Sequence, residues 1–192
     1  MTETVIASDI FTKEQCESTI SFHSNGWNKT VGTLGTHDGI KTDSSFRQCM
    51  VYLPPSPEFI PKWMGEAIIN TISDVNKEVY DFDLGKGRIQ LNLLRYDSGG
   101  HYKAHTDVAQ EGENAKRKIS FTMLLNDSYE GGKLNFFSYG DVDSASSWIA
   151  TSSSKIGDMI LFPSYSIHKV EPVTSGIRWA LVGWCLGDKH FV

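Results

Sequence analysis

Three side chains in this chain have the types and spacing to do chemistry. His105 and Asp107 stand two apart in the stretch YDSGGHYKAHTDV, residues 96–108, and His168 follows later in LFPSYSIHKV. In an extended strand, residues i and i+2 point to the same face. An imidazole nitrogen and a carboxylate oxygen then converge, with Thr106 turned away. Two histidines and one carboxylate on one face of an iron ion leave its other positions open, which oxygen activation needs. The pair alone is weak, because HxD is common by chance, and the plain reading of all three residues is two surface histidines and a solvated aspartate. A fourth residue, Arg178, lies ten positions after His168 in IRWALVGWCL. There Arg178, Ala180, Val182 and Trp184 share one face, and Trp179, Leu181 and Cys185 the other. Both faces are mostly apolar, so this strand is expected to be buried on both sides. A buried arginine is costly unless an anion meets it. A carboxylate partner, from the protein or from a ligand, is therefore expected, in bidentate geometry.

The elements that must position these residues fall into two halves. In FTKEQC, Thr12 is a helix N-cap with Gln15 three later, a capping box, with Phe11 and Cys16 as its hydrophobic staple. That helix is expected to run to about Ser24, where NGW breaks it. A second helix follows LPPSP, with Trp63, Met64, Ala67, Ile68, Thr71, Ile72 and Val75 recurring at three- and four-residue steps from Phe59. From Arg88 the rhythm changes to strand-like runs: RIQLNLLRY, HYKAHTD, KISFTMLLN, KLNFF, DMILFP, IHKVEPV and IRWALVGWCL, parted by glycine, proline, asparagine and serine. Strands do not alternate with helices there, which argues against a doubly wound parallel sheet and for a helix-flanked jelly roll. The polar segment SYGDVDSASSWIATSSSK is long for a connection and is expected to be a surface loop near a site.

At 192 residues the chain is expected to be one domain. A net charge of −5 without a long basic run argues against nucleic-acid binding. No apolar run has the length to span a bilayer, and MTETVIASDIF lacks the marks of a secretion signal. Cys16, Cys49 and Cys185 are odd in number and form no CxxC pair, so neither a disulfide framework nor a cysteine zinc site is expected. A reducing cytoplasm is the expected location.

Taken in order, YDSGGHYKAHTD, RKISFTMLLN, YEGGKLNFF and GDMILFPSYSIHKVEPVTSGIRW resemble the iron(II) and 2-oxoglutarate-dependent dioxygenases. The likeness is to the prolyl 4-hydroxylase-like branch that includes bacterial PKHD-type hydroxylases. It runs from about Arg88 to Trp184, with a looser match at the FTKEQCESTI helix. The resemblance implies a mainly β double-stranded β-helix, a distorted cupin-like jelly roll with N-terminal helices packed on the sheet. Residues 1–87 would support a catalytic core at 88–187. It implies iron held by His105, Asp107 and His168, and 2-oxoglutarate paired through its distal carboxylate with Arg178. Tyr96, Thr122 and Leu134 match positions that line the cosubstrate pocket. Many animal and plant prolyl 4-hydroxylases carry lysine where Arg178 stands, which weakens any expectation of collagen-type substrates. The implied activity is hydroxylation of a carbon, such as a prolyl residue in a peptide or protein, consuming O2 and releasing succinate and CO2, with L-ascorbate as an optional addition. The same chemistry on a free amino acid or other small molecule is an alternative, as is a non-catalytic metal- or ligand-binding barrel.

Several residues read more plainly. His101 is a turn histidine, and His23, His37 and His190 are expected at the surface. Gly131 and Gly132 start a strand with positive φ. Trp179 and Trp184 read as core. Tyr102 has the wrong strand parity to join His105 unless the chain is bulged.

Overall fold

A computed structural model of the chain describes residues 4–36, 39–137, 148–149 and 154–191. In chain order, β1 (Val5–Ala7) precedes α1 (Lys13–Gly26), and the short strands β2 (Asn28–Val31), β3 (Leu34–Thr36), β4 (Gly39–Lys41), β5 (Arg47–Gln48) and β6 (Met50–Leu53) follow. After α2 (Lys62–Val75) come β7 (Arg88–Tyr96), β8 (His101–His105), β9 (Arg117–Leu124), β10 (Tyr129–Gly131) and β11 (Leu134–Phe137). The chain then forms β12 (Trp148–Ile149), β13 (Met159–Pro163), β14 (Ile167–Val170), β15 (Val173–Gly176) and β16 (Arg178–Leu186).

The strands build two facing antiparallel sheets. The larger runs β1-β13-β9-β16-β7-β6-β2 and the smaller β12-β11-β14-β8-β5, with β10-β15 and β3-β4 as separate two-stranded sheets. This is the expected jelly roll. The larger sheet packs apolar residues on both of its faces. Leu91, Leu93, Ile119, Phe121, Met123, Leu161, Leu181 and Cys185 pack with Met64, Ile68 and Ile72 of α2 and Cys16 of α1. The opposite face contributes Leu94, Tyr96, Ile160 and Phe162 to a second cluster, which Leu134, Phe136 and Val170 of the smaller sheet complete. β16 is buried on both sides, as its sequence requires, with Trp179 packed on the helix side.

Helix α1 carries the capping box read from Thr12 and Gln15: Gln15 N donates to Thr12 Oγ1 at 3.2 Å and Thr12 N to Gln15 Oε1 at 2.8 Å. The staple residues Phe11 and Cys16 are both buried. The helix runs two residues beyond Ser24, to Gly26. IHKVEPV is not one strand but two, because Glu171 and Pro172 break it and Pro172 brings no N–H to a ladder. His23, expected at the surface, is 1% exposed. It sits in the last turn of α1 with its ring 4.3 Å from that of Trp27, on the face that also buries Cys16 and Thr19. His190 is exposed, as expected; His37 and most of the 138–155 segment lie outside the described residues. No helix among the described residues is long and apolar enough to cross a membrane.

Candidate functional site

Between the sheets lies a cavity of about 680 Å³, and the residues singled out from the sequence meet there. His105, Asp107, His168, Arg178, Tyr96, Thr122 and Leu134 all line it. Local geometry explains how. Gly99 takes φ +84, and a Cβ on Gly100 would stand 2.7 Å from Asp97 O and 3.1 Å from Gln48 O. Only glycines let β7 turn back so tightly into β8 while β5 packs against the corner. His105 ends β8 and faces His168 of β14 in register. Beyond the strand, Asp107 N and Val108 N donate to Ser164 O at 2.9 and 3.2 Å, so the turn between β13 and β14 holds the loop that carries the carboxylate.

The three side chains are arranged so that they could hold a metal ion. The ligand atoms of His105, Asp107 and His168 all lie within 4.8 Å of one another. His105 Nε2 is 3.6 Å from Asp107 Oδ1, and His168 Nε2 is 3.6 Å from Asp107 Oδ2. On the far side of each ring, Nδ1 meets a backbone carbonyl: Lys103 O at 2.7 Å for His105 and Ser166 O at 2.9 Å for His168. A carbonyl only accepts, so Nδ1 carries a proton on each ring and each Nε2 points to the centre. Burial pushes His168 down to about 4, with His105 adding to the effect against the opposing pull of Asp107. Burial alone would raise Asp107, but His168, His105 and the Ser120 hydroxyl outweigh it and hold the carboxyl below its usual range. At neutral pH the site therefore offers a neutral imidazole and an anionic carboxylate, the protonation states a divalent cation needs.

The imidazoles are also fixed from the side. Tyr102 stacks on His105 with ring centroids 3.5 Å apart and planes 18° apart. The pairing of β8 and β14 shifts between His168↔His105 and Val170↔Tyr102, and this bulge overturns the strand parity that set Tyr102 against His105. Phe162 lies 4.7 Å from the His168 ring.

Arg178 occupies another part of the cavity wall. It is 1% exposed and pairs in register with Tyr96, its Cζ 5.4 Å from that ring. No carboxylate of the described residues forms an ion pair with it, and its buried Nε has no hydrogen-bond partner among them. Gly131 and Gly132 have positive φ, as read from sequence, but Gly132 does more than turn the chain. A Cβ there would stand 2.8 Å from Arg178 Cδ, so the missing side chain makes room for the arginine.

Sequence reading missed the supports. Ser120, beside Thr122 on the cavity face of β9, binds Ser164 Oγ at 2.9 Å. Arg117 donates to Asp107 O at 3.2 Å and twice to Gln90 Oε1, at 3.0 and 2.8 Å. It lies 3.8 Å over the Trp184 ring, so Trp184 is cavity wall rather than core. The available signal was polar residues alternating with apolar ones along KISFTM, a pattern wrong for a strand that is dry on both faces. His101 stays apart from the triad, its ring against Gly99 O and Ser45 O.

Comparison with known proteins agrees with this geometry. Residues 91–186, half of the chain, match the 2OG-Fe(II) oxygenase superfamily. A PKHD-type hydroxylase of Rippkaea orientalis is 34% identical over 123 residues, covering 62% of this chain and 52% of that protein. Another, from Acaryochloris marina, is 40% identical over 96 residues, covering 49% and 40%. The chain thus matches about half the length, or less, of these relatives. Among solved structures, a Pseudomonas putida prolyl-4-hydroxylase superposes with a TM-score of 0.67 at 13% identity, over 98% of this chain and 95% of that one. A Trichoplax adhaerens prolyl hydroxylase, solved with a hypoxia inducible factor peptide fragment, gives 0.69 at 16% identity, over 96% and 84%. These two show the fold. The matched span runs from β7 to β16 and contains the triad and Arg178, and the chain belongs to the 2OG-Fe(II) oxygenase superfamily.

Proposed function

We propose that this protein is an iron(II)- and 2-oxoglutarate-dependent dioxygenase that hydroxylates a carbon centre, with residues 88–187 as its catalytic core and 1–87 as its support. The observation that carries the reading is the pairing, in one cavity, of a convergent His-Asp-His set with a buried arginine that has no carboxylate of its own among the described residues. His105 and His168 would hold iron through Nε2 and Asp107 through a carboxylate oxygen. Arg178 would take the distal carboxylate of 2-oxoglutarate, with Tyr96, Thr122 and Leu134 shaping the slot around it. When bound, iron and 2-oxoglutarate supply oxygen activation, coupled to loss of CO2 and formation of succinate.

The chain's own residues have defined tasks in that reaction. The carbonyls of Lys103 and Ser166 fix both imidazoles in one tautomer and one orientation. Ser164 and Arg117 hold the Asp107 backbone, so the carboxylate is placed before any ligand arrives. Phe136 and Phe162 line the His168 side with apolar surface that excludes water from the reacting centre. The hydroxylase named in its relatives, and the prolyl hydroxylases that share its fold, one of them solved with a peptide fragment, support a prolyl residue as the target.

The test is an anaerobic titration of the apoprotein with iron(II) and then 2-oxoglutarate. The weak visible charge-transfer absorption of the iron-bound keto acid is expected in the wild type and absent from a folded Asp107→Ala variant. Folded wild type that gives no absorption at saturating ligand would leave a metal-binding barrel without this chemistry.

A further inference from the structure

The cavity holds more positive charge than the proposed reaction uses. Its described lining includes three arginines, Arg47, Arg117 and Arg178, against one carboxylate, Asp107. Iron(II) and 2-oxoglutarate would add opposite charges of equal size, so their binding leaves the excess in place. Arg117 is engaged by Gln90, the Asp107 carbonyl and Trp184, and Arg178 is assigned to the cosubstrate. Arg47 is left over.

Arg47 is placed differently from Arg178. It lies on β5, the edge strand of the smaller sheet, and it is partly exposed where Arg178 is fully buried. Among the described residues it alone lines both the catalytic cavity and an adjoining open pocket of about 440 Å³. Its Nε donates to Cys49 Sγ at 3.2 Å and its Nη1 to Thr33 O at 3.0 Å. Its Cζ lies 4.5 Å over the Tyr102 ring, which in turn stacks on His105. The guanidinium is thus oriented from three sides and separated from a metal-ligand histidine by one aromatic ring. The acids of the adjoining pocket are turned to other partners: Asp97 pairs with Arg95 at 2.7 Å, and Asp43 accepts from Ser45 N and Oγ. No carboxylate of the described residues forms an ion pair with Arg47.

We infer that Arg47 is a substrate anion subsite at the cavity mouth, and that the substrate carries a carboxylate close to the carbon that is hydroxylated. This rests on the proposed function and narrows it. A rigid cation beside a low-dielectric wall favours a carboxylate strongly over a neutral isostere. That chemistry has two sources: an acidic side chain next to the target residue in a peptide, or the α-carboxylate of a free amino acid.

Two matched pairs of probes separate the sources. One is the acetylated, amidated dipeptide prolyl-glutamate against prolyl-glutamine; the other is L-proline against L-prolinamide. Binding is followed by tryptophan fluorescence and thermal shift on protein loaded with zinc(II), which does not turn over, and saturated with 2-oxoglutarate so that Arg178 is occupied. In one pair the carboxylate member is expected to bind at least tenfold more tightly. Arg47→Gln should erase that preference and Arg47→Lys should keep part of it, with circular dichroism confirming both folds. Equal binding within both pairs would overturn the inference, as would no carboxylate-dependent binding at all. A preference that survives Arg47→Gln would place the anion elsewhere and overturn it too. Should Arg47→Gln not fold, the Lys variant decides alone, and an undiminished preference there with the cation displaced defeats the assignment. Wild-type succinate formation from 2-oxoglutarate without any probe is measured alongside. Its absence would defeat the proposed function and leave the Arg47 result readable on its own.

Discussion

Replacing Gly132 by alanine should impair 2-oxoglutarate binding without altering any charged or polar side chain. At Gly132 φ is +59, and a Cβ there would lie 2.8 Å from Arg178 Cδ, 3.1 Å from Val173 Cγ2 and 3.3 Å from Tyr129 Cε2. Carbon atoms pack best at about 3.5 Å or more, so Arg178 Cδ must move by roughly 0.7 Å. That displacement is carried to the guanidinium, where a bidentate contact tolerates little error. Losing a charge-assisted hydrogen bond costs about 1.5–3 kcal/mol, or roughly a 10- to 100-fold weaker affinity. The left-handed backbone adds a separate stability cost of about 1–2 kcal/mol. Gly87 isolates that second effect: its φ is +61, and nothing lies within 4 Å of the Cβ it would gain. Gly87→Ala should therefore lower stability by a similar amount and leave 2-oxoglutarate affinity within about twofold of wild type. Affinity is measured anaerobically with iron(II) at saturation, and stability by urea unfolding. A folded Gly132→Ala protein with wild-type affinity would refute the steric argument and, with it, the placement of the cosubstrate against Arg178.

Two further outcomes follow from the site and the core. Arg178→Ala should raise the 2-oxoglutarate requirement far more than the iron requirement, measured as half-saturating concentrations for succinate formation; equal effects would mark a structural arginine. Acid should weaken the metal-free fold: burial holds His23 and His168 near 4 against an ordinary 6.5, so the unfolded chain binds protons first, and stability complete above about pH 6.5 falls as the pH drops toward 4, by about 3 kcal/mol for each. His23→Phe should remove about half of that fall in urea midpoints compared at pH 7 and 4.5, and an unchanged slope would show that His23 does not carry it.

The parts of the molecule visible in the sequence are those that obey one local rule. The capping box at Thr12, the apolar stripe from Met64 to Val75 and the nine-residue strand from Arg88 to Tyr96 each announce themselves within a few neighbours. The triad was legible from the ordered pattern of His105, Asp107, His168 and Arg178, although β8 ends at His105 and the loop held by Ser164, rather than strand alternation, brings Asp107 to His105. What stayed hidden depends on contacts distant in sequence. Tyr102 joins His105 only because β8 bulges against β14, sixty-odd positions away. Gly132 matters because of an arginine on another strand. The strands between Asn28 and Gln48 are too short to show a period, although β5 brings Arg47 to the cavity.

The two faces of the larger sheet divide stability from function. On the helix side of β9, Ile119, Phe121 and Met123 are buried among apolar neighbours, Phe121 also reaching the cavity wall, and the same strand presents Thr122 to the cavity and Ser120 to Ser164. β16 repeats the division, with Leu181 and Cys185 inward to the helices and Arg178 and Trp184 toward the cavity. Polar groups without partners among the described residues, such as Arg178 Nε and Trp184 Nε1, destabilise the cavity face of an unliganded fold. They persist because the opposite face of the same strands, packed on α1 and α2, supplies the apolar burial that offsets them. A ligand that satisfies Arg178 should accordingly stabilise the whole sheet rather than the cavity alone, since the strand that carries the arginine is hydrogen-bonded between β7 and β9 at the sheet's centre.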